Sequence, residues 1–430
     1  MFEKFFKLKE NGTDAKTEIM AGLTTFMAMA YIIVVNPDIL SQTGMPGGSV
    51  LVATCVGAAI GCFLMAILAN YPFALAPSMG LNAYFTYSVC LTMGVSWQTA
   101  LTAVFVEGCV FILLTLSNIR QMVVNAIPNT LKIGISAGIG LFIAFIGTRN
   151  AGLIVDNPAT LVGLASFKGN LPLLLALVGL ILMIVLQTKG VKGSILIGIA
   201  AVTLAGIPLG ITKLPSQLVS TPPSLAPIFW KMDFSQLSKV SFWVVVFAFF
   251  FVDFFDTVGT LVGCASRADM LDEKGNLPKA GQALMADAVA TSAGAVLGTS
   301  TITTFVESAA GVEQGGRTGL TAATVGVLFL LATFFNPIVM IVPACATAPA
   351  LIMVGIFMVM GVDKMDFSDW TDFVPAILAM MMMPFAYSIS TGIEFGICSY
   401  VFLKIFTGKY KDISWIMYVL TGLFAINHML

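Results

Sequence analysis

The sequence predicts an all-α polytopic membrane protein of about 14 spans, built as two inverted sets of about seven, with turn-forming breaks interrupting the third and tenth. Three observations predict it. Hydrophobic residues make up 58% of the chain and charged residues 10%, with a mean hydropathy of +0.96, so a water-soluble fold would expose far too much apolar surface. Apolar runs recur along all 430 residues and leave no stretch for a separate soluble domain. The runs also fall into two halves around one long polar connection, residues 211–240.

The first 16 residues are basic and lack an apolar core with a small-residue cleavage site, so the first span is expected to act as its own insertion signal. Apolar segments then follow at 18–38, 50–70, 74–90, 97–116, 132–148, 171–187 and 193–210, each closed by Pro, Gly, Asn or charge. After the connection they resume at 241–264, 283–298, 300–312, 319–340, 341–361, 373–388 and 389–405, with a final amphipathic stretch near 413–428. The expected organisation is one integral membrane domain, 1–430, with a first repeat over 17–210 and a second over 240–430. An odd number of spans per half starts the second half on the opposite side, which is the arrangement of an inverted repeat.

Charge placement agrees. Lys4, Lys7, Lys9, Arg120, Lys132, Lys189, Lys192, Arg267, Lys274, Lys279, Arg317, Lys404, Lys409 and Lys411 fall on one side, which is expected to be cytoplasmic together with the N-terminus. Arg149, Lys168, Lys213, Lys231 and Lys239 fall on the other, mostly in longer loops. A net charge of −1 argues against a nucleic-acid partner, which needs a concentrated basic face. The seven cysteines fall singly, without the paired spacing of a metal site or disulfide framework, and read as small packing residues.

Two interruptions carry the first functional signal. ALAPSMGLNAY (74–84) and GTSTITTFVESA (298–309) break the third and tenth segments, with Pro77, Gly80 and Gly298 shaping the breaks. Ser78 and Asn82 in one match Thr303 and Glu307 in the other at the same spacing. Interrupted spans at corresponding places in two halves point to a transporter's binding site, because a helix start inside the bilayer offers free N–H groups. Helix starts are expected near Met79 and Thr304. Pro and Gly can also simply kink packed helices.

Six carboxylates lie in or near spans: Glu107, Asp253, Asp256, Asp287, Glu307 and Glu394. Each costs about 2.5–3.5 kcal/mol near a helix centre, so each needs a function or a partner. No basic residue sits in the middle of the same segments, which leaves carboxyls able to take up and release protons. The single histidine, His428, is in the tail, so a proton relay would run on carboxyls and water. In VDFFDTVGT, Asp253, Asp256, Thr257 and Thr260 share one helical face, which should meet the protein interior or a wet cavity. Asp256, Asp253 and Asp287 are the candidates for proton coupling. Glu307 has a structural alternative, since Thr304 and Glu307 form the T-x-x-E of a capping box. Glu107, Asp287 and Glu394, with small or apolar neighbours, also read as structural.

A polar ligand held at such breaks would meet acceptor carboxylates, backbone N–H groups and apolar walls. Glu307, Asp256, Asn82 and Thr304 are the candidate polar contacts. Phe26, Tyr31, Tyr84 and Phe254 are candidate walls, Phe26 foremost, although aromatics at these spacings also serve as packing.

The stretches AGLTTFMAMAYIIVVNP (21–37), ALAPSMGLNAYFTY (74–87), FFFVDFFDTVGTLVG (249–263), DAVATSAGAVLGTSTITTFVESAAGV (287–312) and GGRTGLTA (315–322) resemble the AzgA-like purine permeases, a branch of the nucleobase-cation symporter-2 superfamily. The resemblance implies the uracil-permease fold, with spans 1–4 and 8–11 as a core and spans 5–7 and 12–14 as a gate. It implies strands near Phe73–Pro77 and Gly298–Thr303 crossing at mid-membrane, and base contacts from Asp256 and Glu307. It implies import of hypoxanthine, guanine or adenine with protons across the cell membrane, no cofactor, and a homodimer, which is common in that superfamily. The eighth-span acid here is Asp, one methylene shorter than Glu, which leaves room for a purine. A membrane aspartyl protease is disfavoured because both aspartates of DFFDT lie on one helix. An anion channel or exchanger on the same scaffold is disfavoured by central acids without nearby Arg or Lys.

Overall fold

The computed structural model describes residues 2–116, 127–215, 217–267, 270 and 277–429. A short helix, α1 (Phe2–Phe6), precedes the first span, which is broken into α2 (Ala15–Met29) and α3 (Ile32–Ser41). The second is α4 (Gly47–Leu64), continued by a wider π-turn over Met65–Ala69. The third is strand β1 (Leu75–Pro77), then α5 (Met79–Ala83), again continued as a π-helix over Tyr84–Thr92. The first half closes with α6 (Trp97–Leu116), α7 (Asn129–Asn150), α8 (Leu171–Thr188) and α9 (Ser194–Gly206). An external hairpin, β2 (Ile154–Asn157) with β3 (Leu161–Leu164), lies between α7 and α8 and has no counterpart in the sequence reading.

The second half holds α10 (Val240–Arg267), α11 (Ala280–Leu297), β4 (Ile302–Thr304), α12 (Ser308–Glu313), α13 (Gly319–Ala332), α14 (Asn336–Val339), α15 (Ala344–Val359), α16 (Trp370–Phe385), α17 (Ile389–Phe406) and α18 (Trp415–Met429). Among the described residues nine helical segments are long and apolar enough to cross a membrane. The other expected spans are shorter (α9, α16), interrupted by strands (the third and tenth), or rich in Ala (α11).

Packing sorts the helices into two groups that each mix both halves. In one, α2 and α4 pack on α13, α11 packs on α4 and α6, and α6 packs on α10. In the other, α7 packs on α15 and α16, α16 on α17, and α8 on α9 and α15. These are the expected core and gate. Within the gate, α7 and α15 approach closely at Gly140 and Gly355: a Cβ on Gly140 would lie 2.6 Å from the Gly355 carbonyl oxygen. Small residues at such crossings let backbones meet in a membrane.

The core is organised around the two strands. β1 and β4 pair antiparallel, Leu75 opposite Thr304 and Pro77 opposite Ile302. Buried non-helical backbone must find partners. Beyond the ladder, Ser78 N donates to Thr301 O at 2.9 Å, Phe305 N to Ala74 O at 2.9 Å, and Thr291 Oγ1 to Ile302 O at 2.9 Å. Room for the crossing comes from glycines. The Ile302 side chain lies in a slot where a Cβ on Gly57 or Gly294 would come within 2.7 or 2.8 Å of Ile302 Cδ1.

The two ends of the bundle are tied separately. At one, Lys192 pairs with Glu313 at 2.9 Å, Lys279 Nζ donates to Ala69 O, and Glu18 accepts from the Arg317 amide at 2.8 Å. Glu18, fully buried, also accepts from Thr318 N, Thr321 N and Thr321 Oγ1, and so caps α13. At the other end, Tyr87 Oη accepts from Gln42 and from Asn150 across the core–gate boundary. Arg149 meets Tyr387 there. This alternation follows the expected span order; Arg120 and Lys274 lie outside the described residues, as do the side chains of Lys4, Arg267 and His428.

Candidate functional site

The two breaks bring one acid from α10 and one from the start of α12 to the strand crossing. Tyr31, where the first span changes from α2 to α3, donates its hydroxyl to Glu307 Oε1 at 2.7 Å. Ser78, the residue between β1 and α5, donates to Asp256 Oδ2 at 3.1 Å. Asp256 and Glu307 are both part-exposed, whereas Asp253, Asp287 and Glu107 are fully buried. The same face of α10 stays open beyond Asp256, since a Cβ on Gly259 or Gly263 would meet nothing within 4 Å. The site is thus two accessible acids, each held by one hydroxyl, with no cation among the groups that perturb them.

The register of the second break differs from the sequence reading. β4 is followed by a turn over 305–307, so α12 starts at Ser308, not near Thr304. The capping box does not form. Thr304 is a strand residue whose Oγ1 lies 3.4 Å from Asp287 Oδ1, and Glu307 stands at the helix N-cap with its side chain turned to Tyr31. The positions that match across the halves are therefore Ser78 and Glu307, the residues just before the two helices. Thr303 instead pairs with Ala76, and Asn82 lies inside α5.

Several candidates are drawn elsewhere. Asn82 Nδ2 donates to Asn36 Oδ1 at 3.0 Å in a buried chain that continues to Thr54 and Thr299. Phe26 stands edge-on to Phe329 at 5.3 Å, Tyr84 to Phe249, and Phe254 to Phe111. Of the four aromatics, Tyr31 is the one hydrogen-bonded to an acid, a role its sequence context does not signal. Asp253 and Asp287 meet through Thr257, and Glu394 is buried on α17 in the gate. Pro77 ends β1. Gly298 is a left-handed helix end, φ +94°, with Ile228 against it. Gly80 is helical rather than part of the break; its place is at the gate, where a Cβ would lie 3.0 Å from Ile139 Cγ2 and 4.0 Å from Met358 Cε. Among the described residues no group of three or more His, Cys, Asp or Glu is placed to hold a metal ion.

The family of xanthine and uracil permeases, described as the Permease family, matches residues 16–395. The chain belongs to that family. An adenine permease of Escherichia coli is 41% identical to this permease over 99% of this chain and 96% of its own. A guanine/hypoxanthine permease of Bacillus subtilis is 44% identical over 98% and 97%. A Methanocaldococcus jannaschii protein provisionally named a permease is 51% identical over 99% and 97%. Among solved structures, the transmembrane domain of the cyanobacterial bicarbonate transporter BicA superposes with a TM-score of 0.66 at 15% identity, covering 89% of this chain and 97% of that one. That likeness concerns the fold: a multi-pass helical membrane protein of the inverted-repeat class.

Proposed function

We propose that this permease imports purine nucleobases, hypoxanthine, guanine or adenine, in symport with protons, with Glu307 as the principal acceptor for the base and Asp256 as the acid that couples its movement to the proton. The observation that carries the reading is the pair of part-exposed acids at the strand crossing, each engaged by a single hydroxyl. Tyr31 occupies Glu307 Oε1 and Ser78 occupies Asp256 Oδ2. Each acid keeps a second oxygen for the ring or exocyclic N–H of a base. Carboxylates without a nearby cation favour an N–H-rich neutral ligand over an anion. Relatives named for adenine and for guanine/hypoxanthine support the purine class. A homodimer in the cell membrane with a cytoplasmic N-terminus completes the proposal.

Uptake of labelled hypoxanthine in cells lacking their own carriers, in competition with a panel of bases and nucleosides, tests it. Purine bases should compete, nucleosides should not, and a protonophore should collapse accumulation. Undiminished accumulation with strict dependence on sodium would overturn the proton part. Failure of every purine to compete would overturn the substrate.

A further inference from the structure

Asp256 and Glu307 leave part of the core's acid unexplained. Glu107 on α6, Asp253 on α10 and Asp287 on α11 are each fully buried behind them. The three form a chain. Glu107 faces the Asp253 carboxyl. Thr257 Oγ1 lies 3.4 Å from Asp253 Oδ1 and 2.9 Å from Asp287 Oδ2. Thr304 Oγ1 lies 3.4 Å from Asp287 Oδ1. The other titratable groups facing the chain are Asp256 and Cys109, and no cation is among them in the described residues. Neither oxygen of Glu107 meets a donor, and neither does Asp253 Oδ2.

Hydrogen counting decides what this chain must hold. With each of its four oxygen–oxygen contacts (Glu107 to Asp253, Asp253 to Thr257, Thr257 to Asp287, Asp287 to Thr304) taken as a two-centre hydrogen bond, the chain holds four hydrogens. The two threonine hydroxyls supply one apiece. The other two are then carried by carboxyls, and Glu107 facing Asp253 requires one of them on its own account, since two ionised carboxylates do not share a buried site without a cation. Every contact then joins a donor to an acceptor. Moving one hydrogen along each of the three contacts between Glu107 and Asp287, with Thr304 donating throughout, passes the remaining negative charge from one of these acids to the other without displacing a heavy atom or changing the proton total.

We propose that Glu107, Asp253 and Asp287 are a proton store of the carrier, holding two protons between them, with Glu107 at its inner end and exchange with solvent passing through Asp256, the part-exposed acid beside it. The exchange step rests on the symport reading; the stored protons do not. Glu107 is then a working residue of the coupling machinery and not a packing acid of α6.

The store is read directly by infrared spectroscopy of the purified full-length protein in lipid nanodiscs at neutral pH, before and after exchange into deuterium oxide. Protonated carboxyls give a C=O stretch, separate from the amide and carboxylate bands, that shifts down on deuteration. Wild type should show it, and Glu107→Gln should lose about half of its intensity. No deuterium-sensitive band in the wild type overturns the proposal, whatever happens to the variants. So does a band of unchanged intensity in each of Glu107→Gln, Asp253→Asn and Asp287→Asn. In proteoliposomes, Glu107→Gln should keep base exchange within about twofold while its accumulation ratio falls to about one; full pH-dependent accumulation overturns the coupling role. A wild-type band together with accumulation insensitive to a protonophore would instead sink the symport reading and leave the stored protons standing.

Discussion

Replacing Glu307 by Gln isolates the charge of the proposed base acceptor. Tyr31 donates to Glu307 Oε1 at 2.7 Å, and the amide of Gln can bond the same hydroxyl in either flip, its oxygen accepting or its NH₂ donating, so the local packing need not change. What changes is the second position, where, with the NH₂ turned to Tyr31, an ionised oxygen facing a base N–H becomes a neutral amide oxygen. A hydrogen bond to a charged group contributes about 1.5–3 kcal/mol and a neutral one about 0.5–1.5 kcal/mol. The difference, about 1–1.5 kcal/mol, is close to a tenfold change in affinity. If the amide NH₂ turns toward the base, donor meets donor and the loss is larger. Equilibrium binding of labelled purine to the purified permease should therefore weaken about tenfold or more, with an unchanged size-exclusion profile. Asp256→Asn is the companion: binding and base exchange should persist while concentrative, pH-dependent uptake disappears. Unchanged affinity in Glu307→Gln, or undiminished pH-dependent accumulation in Asp256→Asn, would refute this division of roles.

Gly80→Leu puts a side chain where even a Cβ would lie 3.0 Å from Ile139 on the gate, so transport should fall more than about tenfold while base binding is retained; normal uptake would show that core and gate do not move past each other here. Gly298→Leu forces a branched residue to φ +94° against Ile228 and should lower thermal stability in detergent by at least the about 1–2 kcal/mol of a left-handed non-glycine residue, whether or not a ligand is present. At the surface, Lys409 lies 2.7 Å from Asp369 and, with Thr371, holds its carboxyl well below the usual carboxylate range. A depressed folded-state value means that this stabilisation is present at neutral pH and is lost as the pH falls from the usual carboxylate range through the lowered one. The stability gap between wild type and Asp369→Asn, small for so exposed a pair, should close over that acidic window; a gap constant with pH would show that the charge is not its source.

The spans and their interruptions were legible because they are local signals. Apolar runs ended by turn residues mark helices, and Pro77 and the Gly298 segment mark places where a helix cannot continue. The content of the site was only half legible. Asp256 and Glu307 stand out as carboxylates in apolar surroundings, but their hydroxyl partners do not: Tyr31 is 276 positions from Glu307 and Ser78 is 178 from Asp256. Glu18 reads as an ordinary acid of a first helical turn, yet its carboxylate closes the start of α13, about three hundred positions later. The T-x-x-E motif failed for the opposite reason. Its spacing suits a capping box only if Thr304 begins a helix, and strand pairing with Leu75 claims that residue first.

The glycines show why the strands form where they do. Gly57, Gly61 and Gly294 each look like a weak point in an apolar helix, where Gly costs about 1 kcal/mol relative to Ala. In the fold they face one side chain: a Cβ on any of the three would fall within 3.2 Å of Ile302. Filling that slot would push β4 away from α4 and α11, and with it the ladder that satisfies the exposed backbone of both broken spans. An unpaired strand in the membrane interior costs several kcal/mol for each unsatisfied group, more than three helical glycines together. The weakness of the helices is thus a condition for the strands, and the strands in turn set Ser78 and Glu307 at the mouths of two helices, where Ser78 meets Asp256 and Glu307 meets Tyr31. On this argument Gly57→Ala or Gly294→Ala should impair purine binding even though neither residue touches Asp256 or Glu307, and an affinity equal to wild type in both would show that the crossing does not depend on the slot.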